Sequence, residues 1–410
     1  MMRRRMRRSA LAAALTVVML AAASAAEKSD PVVEVVRGPY LVADAETGQV
    51  IQEFDALRPW YPASTTKLMT IYTAFLAIRA GEISLNDEIP YGPNAAAQPP
   101  SKMGFRPGSS FTLDNALKMM MVKSANDIAV AVAERVGGSI EGFASRMNAA
   151  AAELGMTRSH FVNPHGLPDE RQVTSARDMA LLARALLRDF PEHRSYLAVH
   201  AIQIGGKVLR NYNRLLDRYP GATGMKTGFI CASGYNLVAS AERNGRELIA
   251  VVFGEYGGRL RNEHAAVLLD DAFATPWRRV EVETTLLNLT SGEDYDSPLD
   301  MRSYVCGPKR GAAMAALRGE DDDSGDVAES HLTPPVYLGP PIRVSAYVPA
   351  DYGEPGFVAR LPRPRPGAEG DAEVLDAFAP VDANASASGP AAAIGAAAGK
   401  PRPLEEVEPE

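Results

Sequence analysis

The chain has 410 residues, of which 46% are hydrophobic and 23% are charged. This composition is typical of a globular protein rather than a disordered one, and the length allows more than one domain. The formal net charge of −7 argues against nucleic acid as a partner, because binding to phosphate groups favours a basic face.

The first 26 residues have the three parts of a secretory signal peptide. Five arginines precede residue 9, an apolar run covers residues 11–23, and the small residues Ser24, Ala25 and Ala26 follow. The apolar run is short for a bilayer span, which needs about 20 residues. We therefore expect cleavage after Ala25 or Ala26 and export to the periplasm.

The chain contains two cysteines, Cys231 and Cys306. This number excludes a disulfide-rich scaffold and a cysteine-rich zinc site. An oxidising compartment permits the two to pair, but the sequence does not place them close together and leaves the pairing open.

Strand-like and helix-like patterns alternate between residues 39 and 273. Strands are predicted at 39–44, 50–54, 235–241 and 248–254, and helices at 63–80, 113–136, 139–154, 176–188 and 262–273. Thr174 and Ser175 with Asp178 are typical of a capping box that opens the 176–188 helix. Because strands stand at both ends and helices between them, we predict a sheet made from the two ends of one domain and packed by helices.

The pattern weakens after residue 274. Further strands are predicted at 280–287, 342–348 and 357–361, with a solvated acidic loop at 319–325, and residues from 362 onward have the composition of a disordered tail. We therefore divide the chain into a signal peptide at 1–26, a main domain at 27–274, a small β-rich region at 275–361 and a tail at 362–410.

The first chemical motif is an S-x-x-K tetrad, from Ser64 to Lys67, at a predicted helix start. Positions three apart share a helix face, so the hydroxyl and the amine can meet. A hydroxyl becomes a nucleophile when a neighbouring base removes its proton, and a lysine is a base only when burial or a nearby cation keeps it neutral. By itself the tetrad is common, and a surface lysine would look the same.

Two further motifs follow along the chain. Ser124 and Asn126 lie two residues apart inside the 113–136 helical stretch, and their side chains converge only if the chain turns sharply there. Lys226, Thr227 and Gly228 precede strand-like sequence, and on a strand the lysine and the glycine share a face. Alone, Ser124 and Asn126 fit a polar patch on an amphipathic helix, and an isolated K-T-G sequence is weak evidence for a function.

In this order, S-x-x-K, S-x-N and K-T-G are the signature of the penicillin-binding proteins and serine β-lactamases. The sequence resembles the low-molecular-weight penicillin-binding proteins of the serine D-alanyl-D-alanine carboxypeptidase type (peptidase family S11) over roughly residues 39–273. The resemblance includes residues 62–70, 163–168, 174–179, 224–228 and 234–241. It implies an α/β (α+β) fold of the β-lactamase/transpeptidase type, with an antiparallel sheet flanked by helices and the catalytic domain at 27–274.

The resemblance also implies the roles of the catalytic residues. Ser64 is the expected nucleophile, which forms an acyl-enzyme with the penultimate D-alanine, and Lys67 is its base. Ser124 is expected to relay protons towards the leaving amine. The expected oxyanion hole consists of the backbone N–H groups of Ser64 and Phe229, placed where negative charge develops.

The substrate-binding residues are implied in the same way. Asn126 is expected to bind the substrate backbone, Lys226 to keep Lys67 neutral and attract the substrate carboxylate, and Thr227 to bind that carboxylate. Gly228 lets a substrate or another backbone approach closely. No metal or organic cofactor is needed, and for His165, in a Pro/Gly-rich loop, we expect a structural role because the mechanism already has a base.

Three other functions remain open. A D,D-endopeptidase uses the same motifs on peptidoglycan cross-links, and a β-lactamase needs an efficient route to hydrolyse its acyl-enzyme. A non-catalytic peptidoglycan-binding module would not need Ser64, Lys67 and Lys226 together. We expect peptidoglycan stem peptides as substrates, β-lactams as inhibitors, and at most loose membrane association, since residues 399–410 are proline-broken and acidic.

Overall fold

A five-stranded antiparallel sheet is built from both ends of the predicted main domain. The computed structural model describes residues 35–276, 284–290, 292–293, 295–317 and 330–348. The strands are β1 (Tyr40–Asp44), β2 (Val50–Phe54), β3 (Glu88–Tyr91), β4 (Ser109–Thr112), β5 (Ala201–Ile204), β6 (Lys207–Arg210), β7 (Ala222–Ile230), β8 (Gly234–Arg243), β9 (Arg246–Glu255) and β10 (Ile342–Arg343). The large sheet has the order β2-β1-β9-β8-β7, which confirms the predicted fold class.

Helices cover both faces of this sheet. They are α1 (Lys67–Arg79), α2 (Pro93–Ala97), α3 (Leu113–Lys123), α4 (Asn126–Gly137), α5 (Ile140–Glu153), α6 (Ala176–Asp189), α7 (Leu215–Arg218), α8 (Gly258–Ala274), α9 (Arg302–Val305) and α10 (Arg310–Ala316), with 3-10 segments at Ala63–Thr66 and Pro191–Ala198. Strand β9 is apolar on both sides because Leu248, Ala250 and Val252 pack towards α8, while Ile249 and Val251 join the larger helical core on the other face.

The predicted 113–136 helix is interrupted at the second motif. Helix α3 ends at Lys123, and Ser124 has the left-handed conformation, with φ of 57°. Helix α4 then starts at Asn126. The sharp turn that the motif required is therefore present, and it separates two helices that the periodicity had joined.

The predicted capping box of the 176–188 helix is only half formed. Ser175 caps α6 by accepting a hydrogen bond from the backbone N–H of Asp178. The Asp178 carboxylate does not accept from the Ser175 backbone N–H, the second bond of a capping box; it accepts hydrogen bonds from the Arg158 backbone N–H and the Ser159 hydroxyl, at 2.8 Å each. This aspartate therefore holds the preceding loop instead of closing the box.

The region after residue 274 contains less strand than predicted. Within 342–348 only Ile342–Arg343 forms a strand, which pairs in parallel with β5, and Tyr347 makes an isolated bridge to Ser110. Residues 284–287 form no strand beyond a bridge from Thr285 to Gln49. The predictions for 1–26, 280–283, 319–325, 357–361 and the tail lie outside the described residues.

The two cysteines form a disulfide. Cys231 follows β7 and Cys306 follows α9, and their Cα atoms are 5.6 Å apart. The backbone N–H of Met301 also donates to the carbonyl of Ala232 at 3.0 Å. The segment around α9 is therefore fastened to the turn between β7 and β8.

Two pairs of short strands that the sequence patterns did not reveal are also present. Strands β3 and β4 pair with each other, and β5 pairs with β6, in antiparallel fashion. Strands of four residues are too short to show a clear period-two pattern. In the described part of the chain, no helix combines the length and the apolar character that crossing a membrane requires.

A loop glycine controls how the 163–168 loop packs on the 3-10 segment that contains Ser64. Gly166 has φ of +81°, and a Cβ there would overlap the Ala63 carbonyl and lie 2.8 Å from Thr66 Oγ1. Gly81 has a similar φ of +73° but open space around it. Substituting each of these glycines by alanine therefore distinguishes the free-energy cost of backbone strain from that of steric overlap.

We predict that Gly166→Ala lowers the free energy of unfolding by about 3 kcal/mol, since left-handed strain and overpacking add. Gly81→Ala, the matched control, carries only the strain and should cost about 1 kcal/mol. Equilibrium urea unfolding measures both. Equal losses in the two variants would show that the loop does not press on the segment.

Candidate active site

The first motif forms as a 3-10 turn that runs into α1. Ser64 lies in the turn Ala63–Thr66, and Lys67 begins the helix. The Lys67 Nζ atom is 3.1 Å from Ser64 Oγ. Ala63, one residue earlier, has a positive φ of 49°, which costs an L-residue about 1–2 kcal/mol. The amine and the hydroxyl therefore meet as the spacing predicted.

Lys67 is held in a polar pocket without access to water. Its side chain is 0% exposed, and Nζ is 2.8 Å from Asn126 Oδ1 and 3.0 Å from the His165 carbonyl. Burial, followed by the positive charge of Lys226, holds the pKa of Lys67 well below 10.5, although Asp127 acts in the opposite direction. A neutral amine has two N–H donors for the two carbonyl oxygens, which leaves its lone pair for the Ser64 hydroxyl.

The second motif faces Lys67 from the break between α3 and α4. Asn126 bridges the pocket, because its Oδ1 accepts from Lys67 and its Nδ2 donates to the Pro99 carbonyl at 3.0 Å. The Ser124 hydroxyl is buried and has no hydrogen-bond partner among the described residues. A buried hydroxyl without a protein partner is rare.

Asp127, next to this motif, was not singled out from the sequence. Its carboxylate accepts hydrogen bonds from the backbone N–H groups of Met103 and Gly104 and from the Tyr91 hydroxyl. These bonds fix the loop that carries the Pro99 carbonyl, and so they orient the Asn126 amide. Burial raises the pKa of Asp127, while the hydrogen bonds lower it.

The third motif lies on β7, an edge strand of the large sheet. Lys226 is 1% exposed, and its Nζ donates to the Thr227 carbonyl at 2.9 Å. A Cβ on Gly228 would lie 2.9 Å from the Pro62 carbonyl and 3.1 Å from the backbone nitrogen of Ser64. The glycine therefore lets β7 pass directly beside the Ser64 backbone. Phe229 follows with a ring that is 42% exposed.

Asn236 is a positioning residue that sequence reasoning missed. Its Nδ2 donates to the carbonyls of Tyr61 and Pro62 at 2.9 and 3.2 Å, and its Oδ1 accepts from the Gly254 backbone N–H. It thus ties the segment before Ser64 to β8 and β9. An asparagine inside an otherwise apolar strand was the signal available in the sequence, since buried polar groups need partners.

Arg261 is a second missed residue. It lies near the start of α8, is 6% exposed, and donates from Nε and Nη2 to Asn262 Oδ1. Its charge adds to burial in lowering the pKa of Lys226 to about 7, and burial lowers its own pKa to about 10. No motif or pattern indicated Arg261, because the predicted helix began one residue later.

The 163–168 loop contributes a backbone carbonyl rather than a side chain. His165 Nδ1 accepts from the Leu167 backbone N–H at 3.1 Å, and burial lowers the pKa of His165 to about 3. Gln172 holds the loop, donating to Thr66 Oγ1 and accepting from the Val162 N–H. The ring of His165 is therefore neutral and used within the loop, while its carbonyl accepts from Lys67.

Residues of all three motifs therefore lie around Lys67 and Ser64. The sequence matches the profile described as D-alanyl-D-alanine carboxypeptidase over residues 23–257. The chain belongs to the D-alanyl-D-alanine carboxypeptidase family. The match ends within the segment after β9, so the region that follows α8 is not part of the shared sequence.

Curated relatives in the D-alanyl-D-alanine carboxypeptidase family include enzymes of several bacteria. D-alanyl-D-alanine carboxypeptidase DacF of Bacillus subtilis is 34% identical over 57% of this chain, and DacC of Escherichia coli is 36% identical over 57%. The chain spans about three-fifths of the length of each, 61% and 60%. DacB2 of Mycobacterium tuberculosis is 32% identical over 60% of this chain and 85% of its own length.

Solved structures of family members share the fold. The D-alanyl-D-alanine carboxypeptidase DacD of Francisella tularensis has a TM-score of 0.56 and 32% identity over 59% of this chain and 71% of its own. Penicillin-binding protein 5 of Haemophilus influenzae also has a TM-score of 0.56 and 32% identity, over 59% and 72%. Penicillin-binding protein D2 of Listeria monocytogenes, in its cefotaxime-bound form, has a TM-score of 0.53 and 26% identity, over 59% and 99%.

The lysine pair predicts a pH profile with two limbs for acylation of Ser64 by a β-lactam. The reaction slows at low pH as Lys67 gains a proton, and it slows above about pH 7 as Lys226 loses its charge. In Lys226→Gln the cation that disfavours the Lys67 proton is gone. The pKa of Lys67 then rises, so the acid limb moves to higher pH.

The second-order acylation rate, measured across pH, tests this coupling. Lys118→Gln is the matched control, since Lys118 is a partly exposed lysine paired with Asp114 and should leave the profile in place. An acid limb that stays in place in Lys226→Gln would contradict the electrostatic link between the two lysines.

Proposed function

We propose that this chain is a serine D-alanyl-D-alanine carboxypeptidase that removes the terminal D-alanine from peptidoglycan pentapeptide stems. The observation that carries the proposal is the Lys67 amine, buried, 3.1 Å from Ser64 Oγ and held by Asn126 and the His165 carbonyl. A neutral amine in contact with a hydroxyl is a base ready to activate a nucleophile. The names of the relatives supply the substrate class.

In the acylation step, Ser64 Oγ attacks the carbonyl carbon of the penultimate D-alanine, and its proton moves to Lys67 Nζ. The oxygen that becomes negative is stabilised by the backbone N–H groups of Ser64 and Phe229. Support for this pair comes from the close passage of β7 beside Ser64 at Gly228. Both N–H groups belong to backbone that is held before the reaction, so little reorganisation is needed.

The amide bond then breaks, and the leaving amine of the terminal D-alanine takes a proton through the Ser124 hydroxyl. The unpartnered state of that hydroxyl among the described residues supports this relay. Asn126 binds the substrate backbone, while Thr227 and the Lys226 charge bind the substrate carboxylate. Once D-alanine has left, water attacks the ester with Lys67 as its base and restores Ser64.

β-Lactams are the proposed inhibitors because their ring amide resembles the scissile bond. Ser64 opens the ring and becomes acylated, but the amine remains tethered beside the ester and obstructs water. The penicilloyl-enzyme therefore persists while the peptide acyl-enzyme turns over. The cefotaxime-bound structure of the Listeria relative supports this inhibitor class.

The proposed place of action is outside the cytoplasmic membrane. Residues 1–26 have the pattern of a cleaved signal, and residues 27–274 form the proposed catalytic domain. The disulfide between Cys231 and Cys306 fits an oxidising compartment. The proposed partners there are peptidoglycan stem peptides, and the proposal includes neither nucleic acid nor a cofactor.

We predict that Ser64→Ala abolishes both penicillin labelling and release of D-alanine, since no other group supplies the nucleophile. Intact-protein mass after incubation with penicillin, and D-alanine release from monomeric pentapeptide, measure the two. Ser195→Ala, at an exposed serine, is the control and should keep both activities. Stoichiometric labelling of Ser64→Ala would overturn the assignment of Ser64 as the nucleophile. Faster cleavage of cross-linked dimers than of monomeric pentapeptide by the original chain would favour an endopeptidase.

We predict that Thr227→Val, which removes a hydroxyl and keeps the shape, lowers kcat/KM for pentapeptide by about tenfold to a hundredfold. A hydrogen bond to a charged group contributes about 1.5–3 kcal/mol. The stability of the folded protein should not change, because this hydrogen bond forms only with the substrate. A pentapeptide with an amidated C-terminus is the control, because it has no carboxylate to lose. If the variant slows the amidated peptide by the same factor, the hydroxyl does not bind the carboxylate.

A further inference from the structure

Residues 330–348 return from the C-terminal region and run along the main domain. The backbone N–H of Thr333 donates to the Arg218 carbonyl, and His200 Nε2 is 3.1 Å from the Gly339 carbonyl. Strand β10 then extends the β5–β6 hairpin, and Tyr347 exchanges two backbone hydrogen bonds with Ser110. This segment and the hairpin therefore form one continuous surface. Its residues lie outside the three motifs of the candidate active site in the sequence.

The outward side of this surface follows from the strand register. Arg343 pairs with Gln203, which pairs with Val208, so these three side chains share a face. Alternation along the segment places Tyr347 on the same side as Arg343, while Val344, between them, is buried in the core. Alternation along β6 likewise places Arg210 beside Val208. We call this side, with the loop before β10, the basic face.

The basic face exposes an unusual amount of apolar and aromatic surface. Among the described residues, ten large hydrophobic side chains are exposed, and five of them belong to the basic face: Val208, Val336, Tyr337, Leu338 and Tyr347. Tyr337 is 84% exposed and Tyr347 is 66% exposed. Single exposed apolar residues are ordinary, but a group of this size marks an interaction surface.

The β5–β6 hairpin and residues 331–348 carry positive charge, and the neighbouring Asp217, whose carbonyl accepts from the Val336 N–H, is paired with Arg214. No aspartate or glutamate occurs in residues 193–216 or 331–348, although the chain has 50 of them and a net charge of −7. Arg210 and Arg343 are exposed, and neither makes an ion pair with any of the described residues. The surface is therefore complementary to a partner that is negatively charged and partly apolar.

We propose that the basic face docks the protein on the surface of an anionic lipid bilayer. Arginine stems lie along apolar surface while their charged heads reach lipid phosphates, and tyrosine rings favour the interface between headgroups and acyl chains. Each cation near an anionic membrane contributes to binding, and exposed aliphatic side chains add insertion into the interface. An acidic protein would match the charge but would not require two highly exposed tyrosines beside aliphatic residues.

Vesicle flotation with the full chain tests the proposal. The chain should bind vesicles of equimolar phosphatidylglycerol and phosphatidylcholine more tightly than vesicles of phosphatidylcholine alone, and added salt should weaken this binding. Arg210→Gln with Arg343→Gln should weaken binding to the anionic vesicles by about twenty-five-fold, from about fivefold for each cation. Tyr337→Ser with Tyr347→Ser should weaken it as well.

The matched control combines Arg188→Gln with Leu287→Ser, which removes one exposed arginine and one exposed leucine elsewhere on the protein. This variant should bind like the original chain, and because all variants keep the same termini, the differences report the basic face. Thermal unfolding and penicillin labelling should be equal in all of them. Binding that is equal on neutral vesicles, or equal between the arginine pair and the control, would overturn the proposal whether or not Ser64 is the nucleophile.

Discussion

The burial of one amine constrains the rest of this active site. Lys67 lies out of contact with water beside a second buried lysine, Lys226, and both effects disfavour its proton. A buried ammonium without a carboxylate partner is costly, so the neutral form is the one that folding selects. The base that the proposed mechanism needs is therefore a result of packing, and every group that shapes the pocket contributes to it.

Three distant parts of the chain supply that pocket. The helix break at Ser124 directs Asn126 towards Lys67, the 163–168 loop supplies a carbonyl, and β7 brings Lys226. Asn236 connects the segment before Ser64 to the sheet by donating to the carbonyls of Tyr61 and Pro62. Each of these contacts satisfies the hydrogen bonding of a buried polar group. Removing one partner therefore leaves the other buried without a hydrogen bond, which costs free energy.

The region beyond the shared family sequence is attached to the main domain at two places. The disulfide to Cys306 and the Met301 hydrogen bond fasten one part to the turn after β7, close to Phe229. The returning segment adds β10 to the β5–β6 hairpin on another side. The first attachment borders the strand that the proposed mechanism uses, whereas the second forms a surface with its own charge and apolar character.

The spacing of Ser64 and Lys67 was sufficient to predict their contact, because helical spacing acts over a few residues. The order of the three motifs was sufficient for the family, and the order of strand and helix patterns along the chain was sufficient for the sheet built from two ends. These patterns left open the break at Ser124 and the cysteine pairing, wrongly extended the strand at 342–348, and did not reveal Asn236 or Arg261. These features depend on neighbours more than one hundred residues away in some cases, such as Asn236 with Tyr61, 175 residues apart. A polar side chain acquires its role, and a lysine its protonation state, only when long-range packing decides which groups exclude water around it.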